Sequence, residues 1–156
     1  MKKIVLSLLI VFSIILLTGC GQKVDYDNSP RVVCEKTEST SEGAVHSKYT
    51  LLFDNNDKLT HFKADVDIIY NRGMPQEAVS VTEKAMKLIG LTPGIDFSSE
   101  ISENELKFSF AGKVKMLKTL MMQLNKDYNE NSVTGDTKQE ALEEFTRSGH
   151  TCETFE

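Results

Sequence analysis

Three histidines, His46, His61 and His150, are the only imidazoles in the chain, and they stand far apart. No HExxH, GxSxG, GxGxxG or phosphate-loop spacing accompanies them. Each therefore reads as a surface residue, since a joint metal site would need the fold to bring them together. Asp65 and Asp67 lie two apart, which on a strand puts both carboxylates on one face. Such a pair can hold a hard cation or do acid–base work; with Lys63 beside it, a solvated strand face is the plainer expectation. Asp54-Asn55-Asn56-Asp57 has the residue types of a calcium loop but lacks the length and closing Glu of an EF-hand, so it reads as a turn. Met116, Met121 and Met122, with Met86 upstream, could supply a soft metal site or an adaptable contact surface. No Met-x-Met or Met-x-x-Met spacing favours copper. Met121 falls in an apolar helical stripe, which leaves the flank of Met116 and Met122 as the place to expect a peptide or partner contact. Glu140, Glu143 and Glu144 read as the wet face of a helix. No catalytic set, no metal-ligand set and no cofactor is expected.

The cysteines are more informative. Residues 1–20 read MKKIVLSLLIVFSIILLTGC. Lys2 and Lys3 form a positive start, and Ile4 to Leu17 is an uncharged, mostly apolar run. At fourteen residues it is too short for an ordinary membrane-spanning helix and has the proportions of a signal-peptide core. Its end, Leu17-Thr18-Gly19-Cys20, resembles the lipobox of bacterial lipoproteins. Small residues before the cut let the backbone lie extended in a protease groove, and the thiol is the nucleophile that takes the lipid. The resemblance implies a thioether lipid on Cys20, cleavage between Gly19 and Cys20, and further acylation of the palmitate type on the new amino group. Two or more acyl chains hold a protein stably on a bilayer where one is marginal. Gly21 stands where some Gram-negative lipoproteins carry an Asp that retains them in the inner membrane.

Cys34 and Cys152 remain, an even pair in a compartment where disulfides persist. A bridge between them is the expected use. A zinc or redox site is less favoured, because there is no Cys-x-x-Cys and no close third ligand.

Charge narrows the partners. The chain carries 18 Lys and Arg against 23 Asp and Glu, a formal net charge of −5. Setting aside Lys2 and Lys3 makes the rest more acidic still. Nucleic acid is a poor partner for such a surface, and there is no basic stripe to hold it on anionic lipid. The absence of Trp weakens a sugar-stacking reading.

The elements that must position these residues follow from periodicity. Residues 1–19 read as the signal peptide, 20–30 as a lipidated tether ending at Pro30, and 31–156 as one domain. Val32 to Thr40 and His46 to Asp54 read as strands. Phe62, Ala64, Val66, Ile68 and Tyr70 alternate with Lys63, Asp65 and Asp67, the clearest period of two in the chain. A helix is expected from Pro75, with Ala78, Val81, Ala85, Leu88 and Ile89 inward and Gly90 at its end. Leu106, Phe108 and Phe110 mark a fourth strand. Val114, Leu117, Leu120, Met121 and Leu124 mark a second helix. Thr137 and Glu140 have capping-box spacing ahead of a third, with Ala141, Leu142 and Phe145 inward. The order β-β-β-α-β-α-α predicts an α+β fold: an antiparallel sheet of about four strands with two or three helices packed on one face.

This layout resembles the small YehR-like bacterial lipoproteins, through the Thr50-Leu51-Leu52-Phe53 and Lys63-Ala64-Asp65-Val66 strands and the Glu77 to Leu88 helix. That resemblance implies no activity and no catalytic residues. The expectation is a lipid-anchored, non-enzymatic protein on the extracytoplasmic face of the cell membrane. Its partners would be the membrane through Cys20 and an unidentified envelope protein or small ligand. A solute- or metal-binding lipoprotein, with its site near Asp65 and Asp67 or beside Met116 and Met122, is the alternative.

Overall fold

The computed structural model describes residues 24–76, 79, 80, 83, 84, 87, 93–116 and 136–156. Strands β1 (Arg31–Ser39), β2 (Gly43–Phe53) and β3 (Leu59–Tyr70) form two consecutive hairpins. The first turn closes with Thr40 N–H donating to the Gly43 carbonyl at 2.8 Å. Gly43 is needed there, because a Cβ at that position would lie 1.9 Å from the Ile69 carbonyl oxygen of β3. The second turn is held by the Asp54 carboxylate, which accepts from the backbone N–H of Asn56 at 2.9 Å and of Lys58 at 3.0 Å. Asp57 takes the left-handed conformation there, φ 57°, which a short polar side chain tolerates.

Beyond this point the expected α+β layout is corrected. The strands β4 (Ile95–Ile101), β5 (Glu105–Lys113) and β6 (Thr151–Phe155) bring the sheet to six, all antiparallel, in the order β4-β5-β3-β2-β1-β6. One ten-residue helix, α1 (Lys138–Arg147), precedes β6. The fold is therefore mainly β, not a four-stranded sheet under two or three helices. β4 escapes the pattern because Ser99 interrupts the alternation of Ile95, Phe97 and Ile101; pairing to β5 along all seven residues makes it a strand. β6 is short and mostly exposed, and its identity comes from pairing to β1 across more than a hundred residues. Helical backbone also occurs at Gln76, Val79, Ser80, Glu83, Lys84 and Lys87, the outer positions of the helix expected from Pro75, and at Val114, Lys115 and Met116. The inward stripe of that first helix and the second helix beyond Met116 lie outside the described residues.

The register sorts the sheet into two faces. Val32 and Cys34 pair with Leu51 and Tyr49; these meet Phe62 and Ala64, which meet Gly112 and Phe110. That is the core face, and α1 lies on it through Ala141 and Phe145. Burying one aromatic such as Phe145 stabilises by about 1.5–3 kcal/mol. Both ends of α1 are fixed locally. Thr137 and Glu140 form the reciprocal capping box that their spacing predicts. At the other end Gly149, at φ 88°, turns the chain, with its N–H on Thr146 and that of His150 on Phe145. Lys36 adds a cation at this end, donating to the Ser148 carbonyl at 2.8 Å. The chain leaves α1 directly into β6, where Cys152 stands opposite Cys34 and is bridged to it.

Candidate functional site

The second face of the sheet is polar, and it carries a groove of about 310 Å³. Three rungs across β2, β1 and β6 form its floor and ends. Thr50, Val33 and Glu153 lie side by side at the centre. On one flank Lys48, Glu35 and Thr151 align, with Lys48 Nζ 3.1 Å from the Glu35 carboxylate. On the other, the Arg31 guanidinium sits 4.5 Å from the centre of the Phe155 ring, a cation–π contact that orients its donors. Asp27, from the segment before β1, completes the rim. The lining thus combines the cations Arg31 and Lys48 with the acids Asp27, Glu35 and Glu153 and the threonines Thr50 and Thr151. The lining holds no His or Cys. Its chemistry is charge pairing and hydrogen bonding to a small polar solute, in the lower part of the volume range of ligand sites.

The segment before β1 is part of this face. The Tyr26 hydroxyl donates to the Phe62 carbonyl at 3.1 Å. Burial, with Asp96 nearby, pushes the Tyr26 hydroxyl above its ordinary pKa. The Asp25 carboxylate folds the segment, accepting from Asp27 N–H at 3.1 Å, Asn28 N–H at 3.0 Å and Asn28 Nδ2 at 2.9 Å. Those bonds hold its pKa below the carboxylate range. Thr50, Leu52 and Ala111 are buried although their register places them on the polar face. The segment carrying Tyr26 and Asp27 lies over that end of the sheet and supplies cover.

The residues singled out from the sequence fall as follows. Asp65 and Asp67 share the polar face, Asp65 paired to Lys63 at 3.1 Å, so the solvated reading describes them. The Asp54 to Asp57 run is a turn whose first carboxylate is spent on its own backbone. His46 and His61 are on the polar face, six register positions apart along β2, about 20 Å. His46 contacts Thr37 at 2.8 Å and His61 contacts Thr60 at 3.1 Å.

His150 departs from expectation. It is half-buried against the rings of Tyr49 and Phe145, with centroids 5.4 and 5.1 Å away. Met116 is half-buried, and a Cβ on Gly94 would lie 3.5 Å from it. Met86, Met121 and Met122 lie outside the described residues, as do Gly19 and Cys20. Among the described residues no three His, Cys, Asp or Glu side chains are grouped to hold a metal. The Cys34–Cys152 disulfide is present, joining residues 118 positions apart. Sequence reading missed the groove because β6, its third wall, was not recognised as a strand; the alternation of Arg31, Val33 and Glu35 was the available signal.

A solved structure described as "NMR structure of the protein from Streptococcus pneumoniae TIGR4" has the same fold. It matches with a TM-score of 0.53 and 12% identity, over 84% of this chain and 89% of that one. At that identity the likeness is one of fold alone. No protein-family model and no curated protein matches the chain.

Proposed function

We propose that this chain is a bacterial lipoprotein whose mainly-β domain, residues 31–156, is held on the extracytoplasmic face of the cell membrane by lipid on Cys20. In this reading it works as a non-enzymatic interaction or envelope-associated module. The observation that carries it is the order of the first twenty residues: two lysines, a short apolar run, then Leu17-Thr18-Gly19-Cys20. The disulfide supports it, since bridges of this kind form and persist in oxidising compartments. Among the described residues no helix is long and apolar enough to cross a membrane. The test is metabolic labelling with an alkynyl fatty acid. Wild-type protein should take up label and a Cys20→Ala precursor should not; equal labelling of the two would refute the assignment.

A second reading is favoured by the groove. A lining with Arg31 and Lys48 beside Glu35 and Glu153 suits a small zwitterionic solute such as an amino acid or short peptide. In this reading the solute site is on β1, β2 and β6, and not near Asp65 and Asp67 or beside Met116 and Met122 as the sequence alone suggested. Thermal shift of the soluble domain against a panel of such solutes should show stabilisation that Arg31→Ala abolishes. A flat response across the panel would remove this reading.

A further inference from the structure

The segment joining Cys20 to the domain is long enough to let the domain tumble only if it is free, and most of it is not. From Asp25 onward it is folded on itself and on the sheet. The Asp25 carboxylate closes the turn at Asp27 and Asn28, and the Tyr26 hydroxyl is bonded to the Phe62 carbonyl. Cys20 and Tyr26 are six residues apart, so their Cα atoms lie within about 20 Å of each other, whatever path the chain takes.

The latch is at one end of the sheet. There β1, β3 and β4 begin and β2, β5 and β6 finish, beside the Asp54 to Lys58 turn. The opposite end is a cluster of three loops tied together by hydrogen bonds. Tyr70 N–H donates to Asn104 O at 2.8 Å, Asn71 N–H to Glu42 O at 2.9 Å, and Met74 N–H to Glu103 O at 3.1 Å. Phe62 and Tyr70 are eight positions apart on β3, so this cluster stands about 26 Å beyond the latch.

We propose that the domain meets the lipid surface with the Asp54–Lys58 end, held there by the Tyr26 latch, and directs the Glu42–Asn71–Asn104 end away from the membrane. This rests on the lipid-anchor reading above. Val45, Ile69 and Ile101, three of the large apolar residues left exposed, lie toward the outward end and are thereby presented to the aqueous side.

The lipidated protein offers a direct test, because Cys34 and Cys152 are bridged and Cys20 is blocked, so one added thiol can be labelled alone. Asn56→Cys and Asn104→Cys proteins would each carry a fluorophore in vesicles of phosphatidylethanolamine and phosphatidylglycerol containing headgroup spin-labelled lipid. Flotation is scored first: protein that does not float with the vesicles negates the anchor reading itself, separately from orientation. With floating protein, the label at 56 should be quenched several-fold more than the label at 104. Equal quenching, or stronger quenching at 104, overturns the proposal. Ten Gly and Ser residues inserted between Gln22 and Lys23 leave every described contact intact and should reduce the contrast. Tyr26→Phe should do the same by opening the latch. A contrast unchanged by both variants would mean that the latch does not set the orientation.

Discussion

His150 is the residue whose surroundings most constrain its chemistry. The Ser148 hydroxyl has one hydrogen, and the carbonyls of Glu144 and Phe145 both lie 3.0 Å from its oxygen. The same oxygen is 3.2 Å from His150 Nδ1, so the hydroxyl links the ring to the end of α1. The other ring nitrogen, Nε2, is buried, with no partner among the described residues. Protonating it would place a charge in that buried site, and burial accordingly holds the His150 pKa below 6.5. Burial lowers His61 as well, with Lys113 adding to the effect. The sign follows. The unfolded chain takes up these protons first, so stability is complete above 6.5 and is lost as pH falls from 6.5 toward the depressed values. Urea melts of the domain between pH 8 and 5 should show this loss. His150→Leu should flatten its share of the slope, and an unchanged slope in that variant would assign the effect elsewhere. The shifts at Asp25 and Glu38 belong to a lower window, below the ordinary carboxylate range.

Elements differ in how openly the sequence shows them. β3 declares itself by alternation, and α1 by the three-residue spacing of Thr137 and Glu140; both are local signals that survive into the structure. Thr137 also bridges to Lys58 and thereby ties α1 to the β2–β3 turn, where Lys138 N–H bonds Asp57 O at 2.9 Å. Thr137→Ala should cost about 1 kcal/mol from the lost cap. Chemical denaturation would measure it, and a loss below a few tenths would mean that the backbone contacts alone fix the helix start. β4 and β6 were hidden for a different reason. Each is an outer strand with few inward apolar positions; β6 is a strand through a partner distant in sequence, and β4 through its hairpin with β5. The groove was hidden with β6. The disulfide, by contrast, was legible, because only two cysteines were left to pair.

At the scale of the molecule, that disulfide decides how firmly the first and last strands are joined. β1 and β6 meet along only five residue pairs, yet one of those pairs is covalent. Closing a loop of 118 residues restricts the unfolded chain by about 4–5 kcal/mol in the chain-entropy view, comparable to the whole stability of a small domain. The Cys34→Ala, Cys152→Ala double variant should therefore unfold at a much lower urea concentration than the oxidised protein. Reductant should bring the wild type to nearly the same midpoint. A midpoint shift worth under about 1 kcal/mol would show that β6 is held by its packing.

The sheet is open, and its outer strands among the described residues are β4 and β6. Both carry acids, Asp96 and Glu100 on one and Glu153 on the other, and the chain as a whole is negative. Proteins confined to a surface encounter one another far more often than the same number free in volume, and open strand margins are the natural seam for self-assembly. Like charges on both margins discourage neighbouring copies from stitching their sheets into a continuous array, so the molecule can be crowded on a surface and remain a set of separate units.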